Sequence, residues 1–166
     1  MFERLHTPEE AYSYKLGATL KMENEVLEIL EENIEHARSG KVKELLNEHH
    51  AESEQHVRNV EEAFRLCGWE VDDSPCPAIE ALGKEGKANL KKADDELADS
   101  LILQAAVEVE HHEIAVYENL IINATALGRD DVVQVLHRNI DSEQSALEKV
   151  RKLQAEVAAT APKQPV

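Results

Sequence analysis

LILQAAVEVEHHEIAVYENL, residues 101–120, has the composition of a helix and carries charge where a helix should be apolar. On a helical wheel Ile102, Leu103, Ala106, Tyr117, Leu120, Ile121 and Ala124 fall on one side, and Glu110 and Glu113 fall in the middle of that side. A core-facing stripe with two carboxylates in it is unusual enough to direct the reading of the rest of the chain.

The chain has 166 residues, enough for one domain with a full core. Aromatic residues are only 4% and Gly and Pro are sparse, while Leu, Ala, Glu, Lys and Val dominate, a balance that favours an all-α fold. Lys and Arg number 18 against 34 Asp and Glu, a net charge of −16 that sets most of the surface against phosphate backbones and anionic lipids. Nucleic acid and membrane are therefore excluded as partners. The longest apolar runs fall short of the roughly 20 residues of a membrane span, and MFERLHTPEE lacks the apolar region of a signal peptide, so a cytoplasmic location is expected. In that compartment Cys67 and Cys76 are expected to be free thiols, with a disulfide open to them but not implied.

Helix signals divide the chain into four long helices and one short one. The first starts at Thr7-Pro8-Glu9-Glu10, a Thr cap followed by Pro, and runs to Ser39-Gly40; the second covers about Lys41 to Cys67 and stops at Gly68. A weaker helical piece spans about Ala78 to Lys92, the third long helix about Asp94 to Leu127, and the fourth runs from the turn Gly128-Arg129-Asp130 to about Ala159. Short first and last connections make two antiparallel hairpins, and the long middle connection can travel back along the bundle. Two hairpins joined by a long crossover that carries a short helix is the ferritin-like form of the four-helix bundle. One domain is expected over residues 1–160, with a disordered tail at 161–166.

Every long helix repeats the polar defect. In the first, Glu23 lies among Tyr12, Leu16, Thr19, Val26, Leu27, Leu30 and Ile34. In the second, His49, Glu52 and His56 lie between Leu45, Leu46, Val60, Ala63 and Phe64. In the fourth, Glu143 points inward with Val132, Leu136, Ile140, Leu147 and Val150. Counting from the turns suggests a common level: Glu113 is 15 residues before Gly128 and Glu143 is 15 after it. Around Gly40 the match is looser, with Glu23 17 before, Glu52 12 after and His56 16 after.

A single ionised carboxylate in an apolar interior costs several kcal/mol, and a cluster adds mutual repulsion. Either several of these groups are protonated, or cations sit between them. Two divalent ions would set four positive charges against five carboxylates, with imidazoles completing the coordination; oxygen and nitrogen donors without thiolate suit iron or manganese, and zinc also fits. Within the four long helices the only literal Glu-x-x-His, Glu108–His111, faces away from the apolar stripe and is rejected on phase, so the donor set differs from the usual di-metal bundle.

KMENEVLEIL (21–30), HHAESEQHVRNVEEAFRLCG (49–68), VEHHEIAVYENL (109–120) and DSEQSALEKV (141–150) resemble the four helix motifs of the YciF-like branch of the ferritin-like superfamily, a group of bacterial stress-associated proteins. The resemblance covers most of the chain and is specific at VEHHEIA and ESEQHV. It implies a ferritin-like bundle, commonly a homodimer, with a di-iron centre whose matching positions are Glu23, His49, Glu52, Glu110, Glu113 and Glu143. His56 stands where relatives often carry Gln.

The metal-ligand candidates are thus Glu23, His49, Glu52, His56, Glu110, Glu113 and Glu143. His50, His111, His112 and His137 are expected at the surface, Tyr117 is expected to be a core tyrosine with a bonded hydroxyl, and the acidic runs NEVLEILEENIEH and KADDELAD are read as solvated faces. Three functions fit: a di-iron or di-manganese oxidoreductase acting on peroxide or dioxygen, metal handling without turnover, and a structural stress protein held together by its buried groups. The first is the preferred expectation.

Overall fold

In the computed structural model, which describes residues 4–160, the chain forms α1 (Pro8–His36), α2 (Gly40–Cys67), α3 (Pro77–Leu90), a single 3-10 turn at Asp95–Leu97, α4 (Ala98–Ala126) and α5 (Asp130–Thr160). The expected tail at 161–166 lies outside the described residues. α1 opens as its sequence predicts: the Thr7 hydroxyl accepts from the Glu10 N–H at 3.1 Å, and the Glu10 carboxylate accepts in return from the Thr7 and His6 N–H groups. Its end comes earlier than Ser39-Gly40. The Asp99 carboxylate accepts from the Arg38 and Ser39 N–H groups at 2.8 and 2.9 Å, which draws those donors out of the helix and ties the α1–α2 turn to the start of α4.

The two glycines with positive φ, Gly68 (73°) and Gly128 (69°), terminate α2 and α4. In each case the next residue's N–H reaches back to a carbonyl in the last turn: Trp69 to Phe64 at 3.1 Å and Arg129 to Ala124 at 2.9 Å.

Long-range contacts fix the direction of each helix. Lys41 pairs with Glu156 and Ser39 with Asp99, so α2 and α4 start at the end where α1 and α5 finish. At the opposite end Tyr12 packs on Trp69, with ring centroids 6.2 Å apart, and the Arg129 guanidinium donates to the Leu66 carbonyl. α2 and α4 therefore run parallel, as the two-hairpin topology requires, and α1 and α5 run the other way. α1 packs against α2 and α4, and α5 packs against the same two, so the four form a closed square.

The crossover returns along the outside, with α3 against α1 and α4. A Cβ on Gly17 would stand 2.8 Å from Ser74 Oγ and 3.1 Å from the Asp72 carbonyl, so the crossover lies flat on α1 because position 17 has no side chain. Leu16, Met22, Leu46, Phe64, Ile102, Leu103, Leu120 and Leu136 fill the bundle, and Ile79 of α3 joins them, all fully buried. Each such side chain contributes about 1.5–3 kcal/mol. Cys67 and Cys76 are free thiols. Among the described residues no helix is long and apolar enough to cross a membrane.

Candidate metal centre

The four helices bring six of the seven candidates into one buried cluster at the middle of the bundle. Glu23, Glu113 and Glu143 are 0% exposed, Glu110 1%, His56 2% and His49 5%. One donor atom each from His49, Glu110, Glu113 and Glu143 lie within 4.8 Å of one another, and so do donors from Glu23, His56 and Glu143. Glu143 belongs to both groups. The equal counts from Gly128 do place Glu113 and Glu143 at one level, and around Gly40 it is His56, not Glu52, that meets Glu23.

These side chains face a common space instead of pairing off. His49 Nε2 is 3.0 Å from Glu110 Oε1 and 4.0 Å from Glu143 Oε2, and His56 Nδ1 is 2.8 Å from Glu143 Oε1 and 3.7 Å from Glu23 Oε2. None of these contacts has the alignment of a hydrogen bond: both His49 nitrogens, His56 Nδ1, Glu23 Oε2, Glu110 Oε2 and all four oxygens of Glu113 and Glu143 lack a partner. Buried polar atoms are almost always satisfied, so such a concentration of orphans marks a place built for a ligand.

A second set of polar residues is satisfied by hydrogen bonds, and its amides, Asn59 and Asn139, do not figure in the sequence analysis. The Tyr117 hydroxyl donates to Glu23 Oε1 and accepts from Asn139 Nδ2 at 2.8 Å. Asn139 Nδ2 also donates to the His56 carbonyl at 3.2 Å, and Asn139 Oδ1 accepts from Asn59 Nδ2 at 2.6 Å. Gln55 donates to Asn59 at 2.9 Å, and Arg58 donates to Gln55 at the surface. Asn59 and Asn139 are 4% and 0% exposed. Asn59 is three residues after His56 and Asn139 four before Glu143, so the helical wheel that found the charged groups carried the signal for these as well. Tyr117 is the bonded core tyrosine expected.

Burial and crowding shift the titration of the cluster. Burial, then the charges of Glu143, Glu23 and Glu110, hold the Glu113 carboxyl well above the usual range. Burial also raises Glu143, His56 opposes it, Glu23 adds to it, and the result is about 7. Burial depresses both imidazoles, but the carboxylates outweigh it: Glu110 and Glu52 hold His49 well above the ordinary histidine value, and Glu143 and Glu23 bring His56 to about 10. Burial beside Glu23 and Glu143 pushes the Tyr117 phenol up, so it stays a hydroxyl.

Glu52 stands apart from the cluster, with a side chain 29% exposed. Its Oε1 is 3.4 Å from Lys149 Nζ and its Oε2 is 3.5 Å from His49 Nδ1, and those neighbours lower its pKa, His49 first. Glu108, His111 and His137 are exposed, as phase predicted, and His50 is half-buried near Glu31. His112 departs from its expected surface position. It is half-buried, next to the core-facing Glu113, with Nε2 unpartnered, and burial, then Lys15, lowers its pKa.

Three comparisons place this geometry among known proteins. Protein YciF of Escherichia coli (strain K12) is 22% identical over 143 residues, 85% of this chain and 86% of its own length. The crystal structure of that stress protein superposes with a TM-score of 0.89 at 21% identity, covering 94% of this chain and 99% of the other. YcfI of Rhodopseudomonas palustris, for which a structural role has been suggested, superposes with a TM-score of 0.87 at 30% identity, covering 91% and 97%. A family model described as a domain of unknown function, DUF892, matches residues 7–161, and the chain accordingly belongs to the DUF892 family, a member of the ferritin-like superfamily.

Proposed function

We propose that the chain is a carboxylate-bridged di-metal protein that holds two divalent ions, iron in the first instance with manganese or zinc as substitutes, and reacts with peroxide or dioxygen. The observation that carries the reading is the pair of donor groups sharing Glu143, lined by orphaned oxygens and nitrogens. With Glu52 at the rim, the buried set is Glu23, Glu110, Glu113, Glu143, His49 and His56: four carboxylates against the four positive charges of two divalent ions, with an imidazole for each half. Oxygen-rich donors with imidazole and no thiolate suit iron and manganese.

The bound ions would supply the redox chemistry. The chain's own contribution is to orient the donors and exclude bulk water. Tyr117 occupies Glu23 Oε1 and leaves Oε2 turned to His56, while Asn139 fixes the Tyr117 hydroxyl and the His56 carbonyl together. His56 and Glu52 line an open cleft of about 320 Å³ with Gln55, Asn59, Arg138 and Ser142, which is the side from which a small oxidant would approach the His56 half of the cluster. The likeness to the YciF-like proteins extends the proposal to a homodimer, which sedimentation velocity tests directly.

The decisive experiment is metal content. Protein loaded anaerobically with Fe(II) should hold about two ions per chain, on the di-metal template of such bundles, and Glu113→Ala with Glu143→Ala should remove both. Protein that stays metal-free after exposure to iron, manganese and zinc rejects the reading. The di-ferrous form should then be oxidised by hydrogen peroxide or dioxygen much faster than free Fe(II). The complete burial of Glu23, Glu113 and Glu143 favours a second reading, in which the ions only brace the bundle. Oxidation no faster than that of the free ion selects it.

A further inference from the structure

We infer that Glu52 is a positioning residue that aims His49 at the metal, and not itself a ligand; the inference rests on the two-metal reading above. The His49 ring presents one nitrogen to each side. Nε2 points into the cluster, 3.0 Å from Glu110 Oε1 and 4.0 Å from Glu143 Oε2, whereas Nδ1 is 3.5 Å from Glu52 Oε2. An imidazole that gives a metal the lone pair of one nitrogen carries its proton on the other, and that N–H needs an acceptor, commonly a carboxylate. Both His49 nitrogens are buried and unpartnered, and Glu52, one helical turn further along α2, brings a carboxylate beside the outer one.

The two oxygens of Glu52 are divided between two neighbours. Oε2 faces the His49 ring, and Oε1 lies 3.4 Å from Lys149 Nζ, which is held in turn 2.7 Å from Glu48 Oε1. Lys149 thus holds the carboxylate at the rim from the solvent side. For Glu52 to enter the cluster it would have to leave Lys149 and add a fifth negative charge to a set that four carboxylates and two divalent ions already balance. As a hydrogen-bond acceptor it adds no such charge among the ligands, and it fixes which nitrogen of His49 faces the metal.

Co(II) titration of the wild type, Glu52→Gln and Glu52→Ala separates the two roles, with proton NMR of 15N-histidine-labelled protein as the second readout. All three proteins should bind two Co(II) per chain. Affinity should fall by about 10–100-fold in Glu52→Ala, and by less in Glu52→Gln, whose amide oxygen still accepts from Nδ1–H. The loaded wild type should show a metal-shifted, slowly exchanging His49 Nδ1 proton, absent from His49→Ala and fast-exchanging in Glu52→Ala. A fall to one Co(II) in Glu52→Gln would make Glu52 a ligand and overturn the inference. So would an unchanged affinity and proton signal in Glu52→Ala, or, where that variant does not fold, the absence of the slow proton from the wild type. Wild-type protein that binds no Co(II) instead removes the two-metal reading itself.

Discussion

The two halves of the buried cluster treat their polar atoms differently. On the His49 side, Glu110 Oε2, both Glu113 oxygens and both ring nitrogens have no hydrogen-bond partner. On the Glu23 side, Oε1 accepts from the Tyr117 hydroxyl, Tyr117 is held by Asn139, and Asn139 by Asn59. The second half is closed on one flank by the protein itself, so folding alone rewards it. The first is left for a ligand, so folding without that ligand is penalised. The halves should therefore respond to mutation with opposite signs in metal-free protein.

The largest effect is expected on the satisfied side. Asn139→Ala strands the Tyr117 oxygen, the His56 carbonyl and the Asn59 amide in the core, and should cost about 2–4 kcal/mol of stability in urea denaturation. A cost below about 1 kcal/mol would show that solvent or rearrangement satisfies those groups. On the orphaned side, Glu113→Leu replaces a buried carboxylate with an apolar side chain of similar size. It should raise metal-free stability by about 1–3 kcal/mol while abolishing stabilisation by added metal. A destabilised metal-free Glu113→Leu protein would erase the contrast between the halves.

The fold and most of the candidate cluster were legible in the sequence because both follow from helical phase. Gly68 and Gly128 end the helices they were expected to end, and Glu23, His49, His56, Glu110, Glu113 and Glu143 are buried because they share a face with Leu16, Leu46, Leu120 and Leu136. Axial level was less legible. A count from Gly128 succeeded because its turn is tight, while the count from Gly40 admitted both Glu52 and His56 to one layer with Glu23, because α1 stops at His36 and residues 37–39 run outside either helix, tied to Asp99. The Asn59–Asn139 pair was passed over for a different reason. A neutral amide on an apolar stripe raises no electrostatic alarm, and its partner lies 80 residues away.

Acidity offers a sharper test of the orphaned oxygens. Glu143 has a folded pKa of about 7, above the 4.5 of an unperturbed Glu, so its contribution to metal-free stability is full below the unfolded value and is lost as pH rises through 7. His56, at about 10, acts in the same direction, keeping its contribution below 6.5 and losing it as pH climbs toward 10. Metal-free protein should therefore be less stable at pH 8 than at pH 6, by about 1 kcal/mol from Glu143 alone. Exposed carboxylates finish titrating below that window, and Glu143→Gln also removes the nearest carboxylate that raises His56, so the variant should reduce the slope of the profile. Added metal competes with protons for the same oxygens and should stabilise the protein more at pH 8 than at pH 6. A profile that survives Glu143→Gln would assign the pH dependence to other groups.

The smallest effect should come from a histidine that only resembles a ligand. Glu108 and His111 spell the Glu-x-x-His of a di-metal bundle, yet both are exposed on the outer face of α4. His111 Nε2 meets Arg151 Nη2 at 2.8 Å, a contact in solvent that water replaces at little cost. His49, by contrast, is 5% exposed and has nothing but the cluster and Glu52 to face. His111→Ala should change stability by less than about 0.5 kcal/mol and leave the number of bound ions unchanged, whereas His49→Ala should weaken metal binding. The two residues belong to diagonally opposed helices that both carry cluster residues, so a general disturbance of the bundle would affect both alike. Equal losses of metal in the two variants would mean that the outer motif holds an ion, and that the charged face of LILQAAVEVEHHEIAVYENL is not the buried one.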